Sequence, residues 1–251
     1  MKINRKRAVR KERLSRDVKL NIATNCALSL LIFSVGIVCL FPVDSAVTTD
    51  GSESNVYRCA PSETDGVSLM FNVYWGTDEV YRILDILDEH EAKATFFIGG
   101  CWADDNAACV KGILSRGHAL GNHGYFHKDH ASLSEAENKE EISLCNRFIE
   151  LMTAKKMTLF APPSGAYGKA ALAACEALNM KTILWSRDTI DWRDKNAALI
   201  YTRATKNIKG GEFVLMHPMK ETADALGDIL TYYQTCSLRA VTVSENLQNG
   251  G

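Results

Sequence analysis

From residue 66 onward, short apolar runs alternate with longer segments whose apolar residues recur every three or four positions. The runs at 67–73, 93–98, 158–161, 181–185 and 212–216 have the length and composition of strands buried on both faces. Shorter strands are expected at 118–120 and 240–243. Residues 78–91 place Val80, Ile83, Leu84, Ile86 and Leu87 at helical spacing. Helices are likewise expected at 106–116, 132–155, 169–178, 196–206 and 221–235. Gly99-Gly100 and Pro162-Pro163 close two of the strands, and Ser132-Leu133-Ser134-Glu135 reads as a capping-box region. Repeated strand–helix units imply parallel strands with crossover helices. About seven such units predict an α/β fold, a small, incomplete (β/α) barrel. In such barrels the chemistry sits in loops at the carboxyl ends of the strands.

The pattern changes before residue 60. Nine basic residues against Glu12 and Asp17 give the first 20 positions a charge of +7, so a chain of net −1 carries −8 in the rest. Residues 26–43 then run without a charge, near the minimum for a spanning helix. The expectation is a basic cytoplasmic tail at 1–21, a single-pass membrane segment at 22–43, a linker at 44–58 and an extracytoplasmic domain at 59–251. Cleavage near Ser45 is the alternative, and would release the domain. Nucleic acid is excluded as a partner, because the basic residues precede the apolar segment and the domain itself is acidic. Six cysteines follow the apolar segment at irregular spacing, without a zinc pattern, and no specific disulfide is expected.

Four strand ends carry candidate chemistry. GNHGYFHKDH follows 118–120, and its His123 and His127 are four apart, so a helical turn would put both on one face to share a metal. APPSGAYG follows 158–160, SRDTIDW follows 181–185 with Asp188 and Asp191, and His217 follows 212–216. Each group alone is weak. Three histidines and an aspartate on one barrel rim make a pattern.

The ordered series KATFFIGG, GHALGNHGYFHKDHASLS, FAPPSGAYG, DTIDW and FVLMHP resembles the polysaccharide deacetylases, the chitooligosaccharide-deacetylase homology domain of carbohydrate esterase family four. The resemblance covers residues 66 to about 246 and implies a distorted (β/α) barrel. It implies a divalent metal, often zinc, on His123 and His127 plus an aspartate, which polarises an N-acetyl carbonyl and activates water. It implies His217, in Leu215-Met216-His217, as general acid, with Asp191 holding it. Trp192 and Leu215 match walls of the acetyl pocket, and Pro163 and Tyr125 fall among the substrate-binding positions. The implied partner is an N-acetylated glycan, peptidoglycan or chitin-like.

One motif departs. Where the family reads T-F-D-D-G, this chain reads Phe71-Asn72-Val73-Tyr74-Trp75-Gly76, without the base and without the third metal ligand. The Arg of the family's R-P-P-x-G is also gone, replaced by Ala161. Losing a base and its cationic partner together is coherent, since either alone would leave a buried charge unpaired. Two readings follow. In the favoured one the chain is a carbohydrate N-deacetylase whose site is rebuilt, with Asn72, Asp78 or Glu79 as candidates for the missing groups, because drift alone would not keep His123, His127, Asp191 and His217 together. In the alternative it is an inactive glycan-binding or envelope relative, with Tyr74, Trp75, Tyr125 and Trp192 stacking on sugar faces. Hydrolysis of another C–N bond, such as a cyclic amide, is a third possibility without a small-molecule cue.

Overall fold

The computed structural model describes residue 25, residues 55–60 and residues 64–248. The expected basic tail and membrane segment lie outside the described residues, residue 25 apart. Among the described residues no helix is long and apolar enough to cross a membrane. The chain divides into two compact units, 1–49 and 50–251, and all the strands below belong to the second.

The strands are β1 (Val56–Tyr57), β2 (Gly66–Val73), β3 (Thr95–Ile98), β4 (Ala119–Asn122), β5 (Leu159–Phe160), β6 (Lys181–Ile183), β7 (Arg187–Asp188), β8 (Phe213–Met216) and β9 (Arg239–Ala240). The helices are α1 (Thr77–Glu89), α2 (Gly100–Asp105), α3 (Ala107–Ser115), α4 (Glu135–Thr153), α5 (Lys169–Ala177), α6 (Asp191–Asp194), α7 (Ala197–Thr205), α8 (Lys220–Thr235) and α9 (Val243–Gln248). The sheet runs β1-β6-β5-β4-β3-β2-β8-β7, with β9 beside β2, and every strand pairing is parallel. The result is a distorted half-barrel of parallel strands. The run expected at 181–185 stops at Ile183 as β6, which pairs with β5 and β1, and an unexpected strand, β7 at 187–188, pairs with β8 at the other edge.

β2 is buried along its whole length, and its period of two sorts its side chains. Val67, Leu69, Phe71 and Val73 face the helices and pack with Val80, Ile83, Leu84 and Leu87 of α1. Met70 faces inward with Phe97, Leu159, Ile183 and Phe213. Continuing that alternation puts Asn72 on the inner face at the strand's carboxyl end. β8 follows the same rule, with Phe213 and Leu215 inside and Val214 and Met216 outside.

Several boundaries differ from expectation. β1 lies inside the expected linker, where Thr182 N–H donates to the Asn55 carbonyl and Leu184 N–H to that of Tyr57. The capping box is formed by Ser134 and Glu137, with Glu137 N–H on Ser134 Oγ and Ser134 N–H on the Glu137 carboxylate, so α4 starts at Glu135. The last expected strand shrinks to β9, and α9 follows it. α9 closes the amino-terminal end of the barrel: Asn246 Nδ2 donates to the Gly66 carbonyl and Ser68 Oγ, and Val243 N–H to Thr95 Oγ1.

Candidate active-site cavity

At the carboxyl ends of β2, β4, β7 and β8 lies a cavity of about 360 Å³ lined by Asn72, Tyr74, Trp75, His123, His127, Ser164, Trp185, Asp188, Trp192, Leu215 and His217. Its two sides are built differently.

On one side α6 begins at Asp191, which is fully buried. Asp191 Oδ1 accepts from His217 Nδ1 at 2.8 Å and from Trp192 N–H at 2.8 Å. Its Oδ2 accepts from His217 N–H at 2.6 Å and from Thr222 Oγ1 at 2.7 Å. Four donors thus hold one carboxylate, and removal of such a group strands several buried donors at once. The Asp191 contact fixes Nδ1–H as the donor and leaves Nε2 toward the cavity. The Trp75 ring stacks on His217, with centroids 5.7 Å apart and planes 6° from parallel.

On the other side His123 and His127 stand together, ring centroids 5.0 Å apart. The expected helical turn is absent: Gly124 and His127 both have left-handed backbones, φ 76 and φ 56, and the loop is held instead by side chains. Gly124 N–H donates to Asn122 Oδ1, and Phe126 N–H to the buried Glu141. His123 Nδ1 donates to the Ala161 carbonyl at 2.7 Å, which leaves Nε2 as an acceptor. Burial first, then the charge of His127, pushes His123 down to about 3. Burial also lowers His127. Both imidazoles are therefore neutral at ordinary pH.

Nothing anionic joins them. Asn72 is 4% exposed, and its Oδ1 has no hydrogen-bond partner. Val73 lies in the apolar layer beneath α1, so the second missing carboxylate has no cavity-side counterpart at that position. Asp78 and Glu79 sit in the first turn of α1 and are not among the lining residues. Among the described residues no group of three His, Cys, Asp or Glu could hold a metal ion. A hydrolytic zinc needs three protein ligands such as two imidazoles and a carboxylate. Two neutral imidazoles and an amide oxygen do not fit it.

The remaining expected residues divide. Trp192 and Leu215 line the cavity, and Trp192 is half exposed at its mouth. Pro163 is buried beside a neighbouring cavity shared with His127 and Ser164. Tyr125 is not among the lining residues of the main cavity; its ring packs on Phe126 and Phe148 and fills the space a side chain at Gly100 would need. Gly99 makes the same room for Tyr74, as a Cβ there would lie 2.2 Å from the Tyr74 ring. Tyr74 in turn packs on His127, with centroids 4.8 Å apart. Burial, then a hydrogen bond with Cys101, raises the Tyr74 hydroxyl above its ordinary range. Ser164 and Trp185 are lining residues without a sequence signal of their own, since neither the turn nor the strand end shows which side chain turns inward.

A carboxylate-held histidine and two further histidines thus line one pocket at the carboxyl ends of parallel strands. Comparison with known proteins places the fold. The family described as polysaccharide deacetylase matches residues 60–183. A peptidoglycan-N-acetylglucosamine deacetylase of Bacillus cereus is 33% identical, covering 69% of this chain and 84% of that protein. The chain belongs to the polysaccharide deacetylase family. A crystal structure of a pseudoenzyme of carbohydrate esterase family 4 from Bacillus anthracis is 34% identical with TM-score 0.74, covering 76% of this chain and 68% of that one, and a mutant of it is described as having restored enzymatic activity. The uncharacterised protein YlxY of Bacillus subtilis is 36% identical over 71% of this chain, which spans only 56% of that protein's length.

Proposed function

We propose that this protein is a cell-wall glycan-binding member of the family whose native site does not carry out metal-assisted deacetylation. One observation carries the reading: the histidine side of the cavity has the neutral, unpartnered Asn72 where the family's chemistry needs carboxylates. The resemblance to a pseudoenzyme supports it. The exposed rings of Trp75 and Trp192 at the cavity mouth supply faces on which sugars stack. Peptidoglycan is the glycan on which the named deacetylase relative acts, and it is the partner proposed here. An extracytoplasmic location, carried by the apolar segment at 26–43, belongs to the same reading.

A second reading keeps hydrolysis. The observation favouring it is the Asp191–His217 pair, which is complete and could still deliver a proton to a leaving amine. Acetate release decides between them. The full chain, supplied with zinc, is incubated with purified peptidoglycan and with N-acetylglucosamine oligomers, and co-sedimentation with peptidoglycan is measured in parallel. Sedimentation without acetate is expected. Acetate release that stops in His217→Ala would establish the hydrolase instead.

A further inference from the structure

Two polar groups on the cavity wall are set as acceptors. His123 spends Nδ1–H on the Ala161 carbonyl, so its Nε2 offers a lone pair. Asn72 Oδ1 is buried and unpartnered. Asp188 is the one carboxylate among the lining residues; its Oδ1 takes the Ile190 N–H at 2.8 Å, which leaves Oδ2 for a ligand. The charge of Asp188 is felt by Arg193, but that guanidinium is engaged by Asp194 at 2.7 Å. The indole N–H of Trp75 goes to Met219 Sδ.

The remaining lining is aromatic: Trp75, Trp185, Trp192 and Tyr74 surround the acceptors. Aromatic faces attract cations, and so does an unpaired carboxylate. A neutral acetamide brings no charge to set against the Asp188 carboxylate. An ammonium brings three donors and a positive charge, and no acceptor that needs satisfying.

We infer that the cavity reads the deacetylated sugar: its ligand is the protonated amine of a glucosamine unit in a glycan, held by Asp188 within the tryptophan walls. The inference rests on the glycan-binding reading above and names the sugar form that this reading leaves open. On this view the site binds what a working deacetylase produces.

The test is calorimetric titration of the full chain, treated with chelator, at mildly acidic pH where sugar amines are protonated. Glucosamine tetramer, N-acetylglucosamine tetramer and spermine, a cation without a sugar ring, are compared. Glucosamine tetramer is expected to bind about tenfold tighter than the acetylated one, the worth of one charge-assisted contact. Asp188→Asn keeps the oxygen that caps the Ile190 turn and should abolish that preference while leaving residual sugar binding. Equal or tighter binding of the acetylated tetramer overturns the inference and leaves the glycan-binding reading standing. Spermine binding as tightly as glucosamine tetramer, or a preference unchanged in Asp188→Asn, also overturns it. Binding of neither sugar removes both readings.

Discussion

The two walls of the cavity make an instructive contrast. Around Asp191 every donor within reach has an oxygen, and the carboxylate is fully buried yet fully satisfied. Around His123 and His127 the rings are placed by a backbone carbonyl and a clamped loop, but the oxygen nearest in role, Asn72 Oδ1, has no partner. One wall keeps a buried charge because four donors hold it in the fold. The other has Asn72, Val73 and Ala161 at the positions where the family motifs carry charge. Shape and charge thus reside in different residues of this site.

The largest effect that would break this contrast is expected at Asp191. Asp191→Ala should destabilise the domain by about 3–5 kcal/mol in urea denaturation, as removing one partner of a buried pair does. A loss below about 1 kcal/mol, the net worth of one ordinary hydrogen bond, would contradict the reading. On the opposite wall, Asn72→Asp returns a carboxylate without its cation and should destabilise by about 1–3 kcal/mol. Added zinc should then reverse that loss, since binding to the folded state stabilises it. If zinc raises the melting temperature of the native chain as much as that of the variant, the donor set was complete already. Gly99→Ala drives a methyl into the Tyr74 ring and should lose about 1–3 kcal/mol, along with the Tyr74–His127 contact. Full retention of both, by denaturation and by His127 imidazole chemical shift, would mean that Tyr74 does not fix that wall.

A separate effect is expected in acid. Burial holds His118 down to about 4 and His123 to about 3, against an ordinary 6.5. Both stay neutral in the fold while the unfolded chain takes up protons below 6.5. Their contribution to stability is therefore complete above 6.5 and is lost as pH falls toward those values. Imidazole proton shifts should show both rings unprotonated at pH 5, and a midpoint near 6.5 for either would show that burial does not hold it neutral.

Much of this was legible before any coordinates. Parallel strands buried on both faces write themselves as apolar runs, and 67–73 and 93–98 mark β2 and β3 closely. Asp191, His123 and His217 stand out because strand ends and ordered motifs place them. What stayed hidden follows from geometry that leaves no period. β1 and β7 are two residues long, too short for any alternation. The His123–His127 loop has the spacing of a helical turn but turns through left-handed residues, which a histidine adopts without announcing it. Tyr125 points away from the cavity because Gly100 leaves it room elsewhere, and the direction of a loop side chain is not written in its neighbours. Asp188 was noticed only as one of a pair, because its partner Asp191 matched a motif and it did not.

The closure by α9 has a consequence for how the chain is made. Ser68 and Asn246 are 178 positions apart, and Thr95 and Val243 are 148 apart. The first long strand leaves its inner hydroxyl unanswered until the final helix arrives, so the floor of the barrel is laid last. Pairings this distant are slow to find. A chain emerging amino end first from a ribosome therefore leaves this end of the sheet open to proteases until residues 243–248 have emerged.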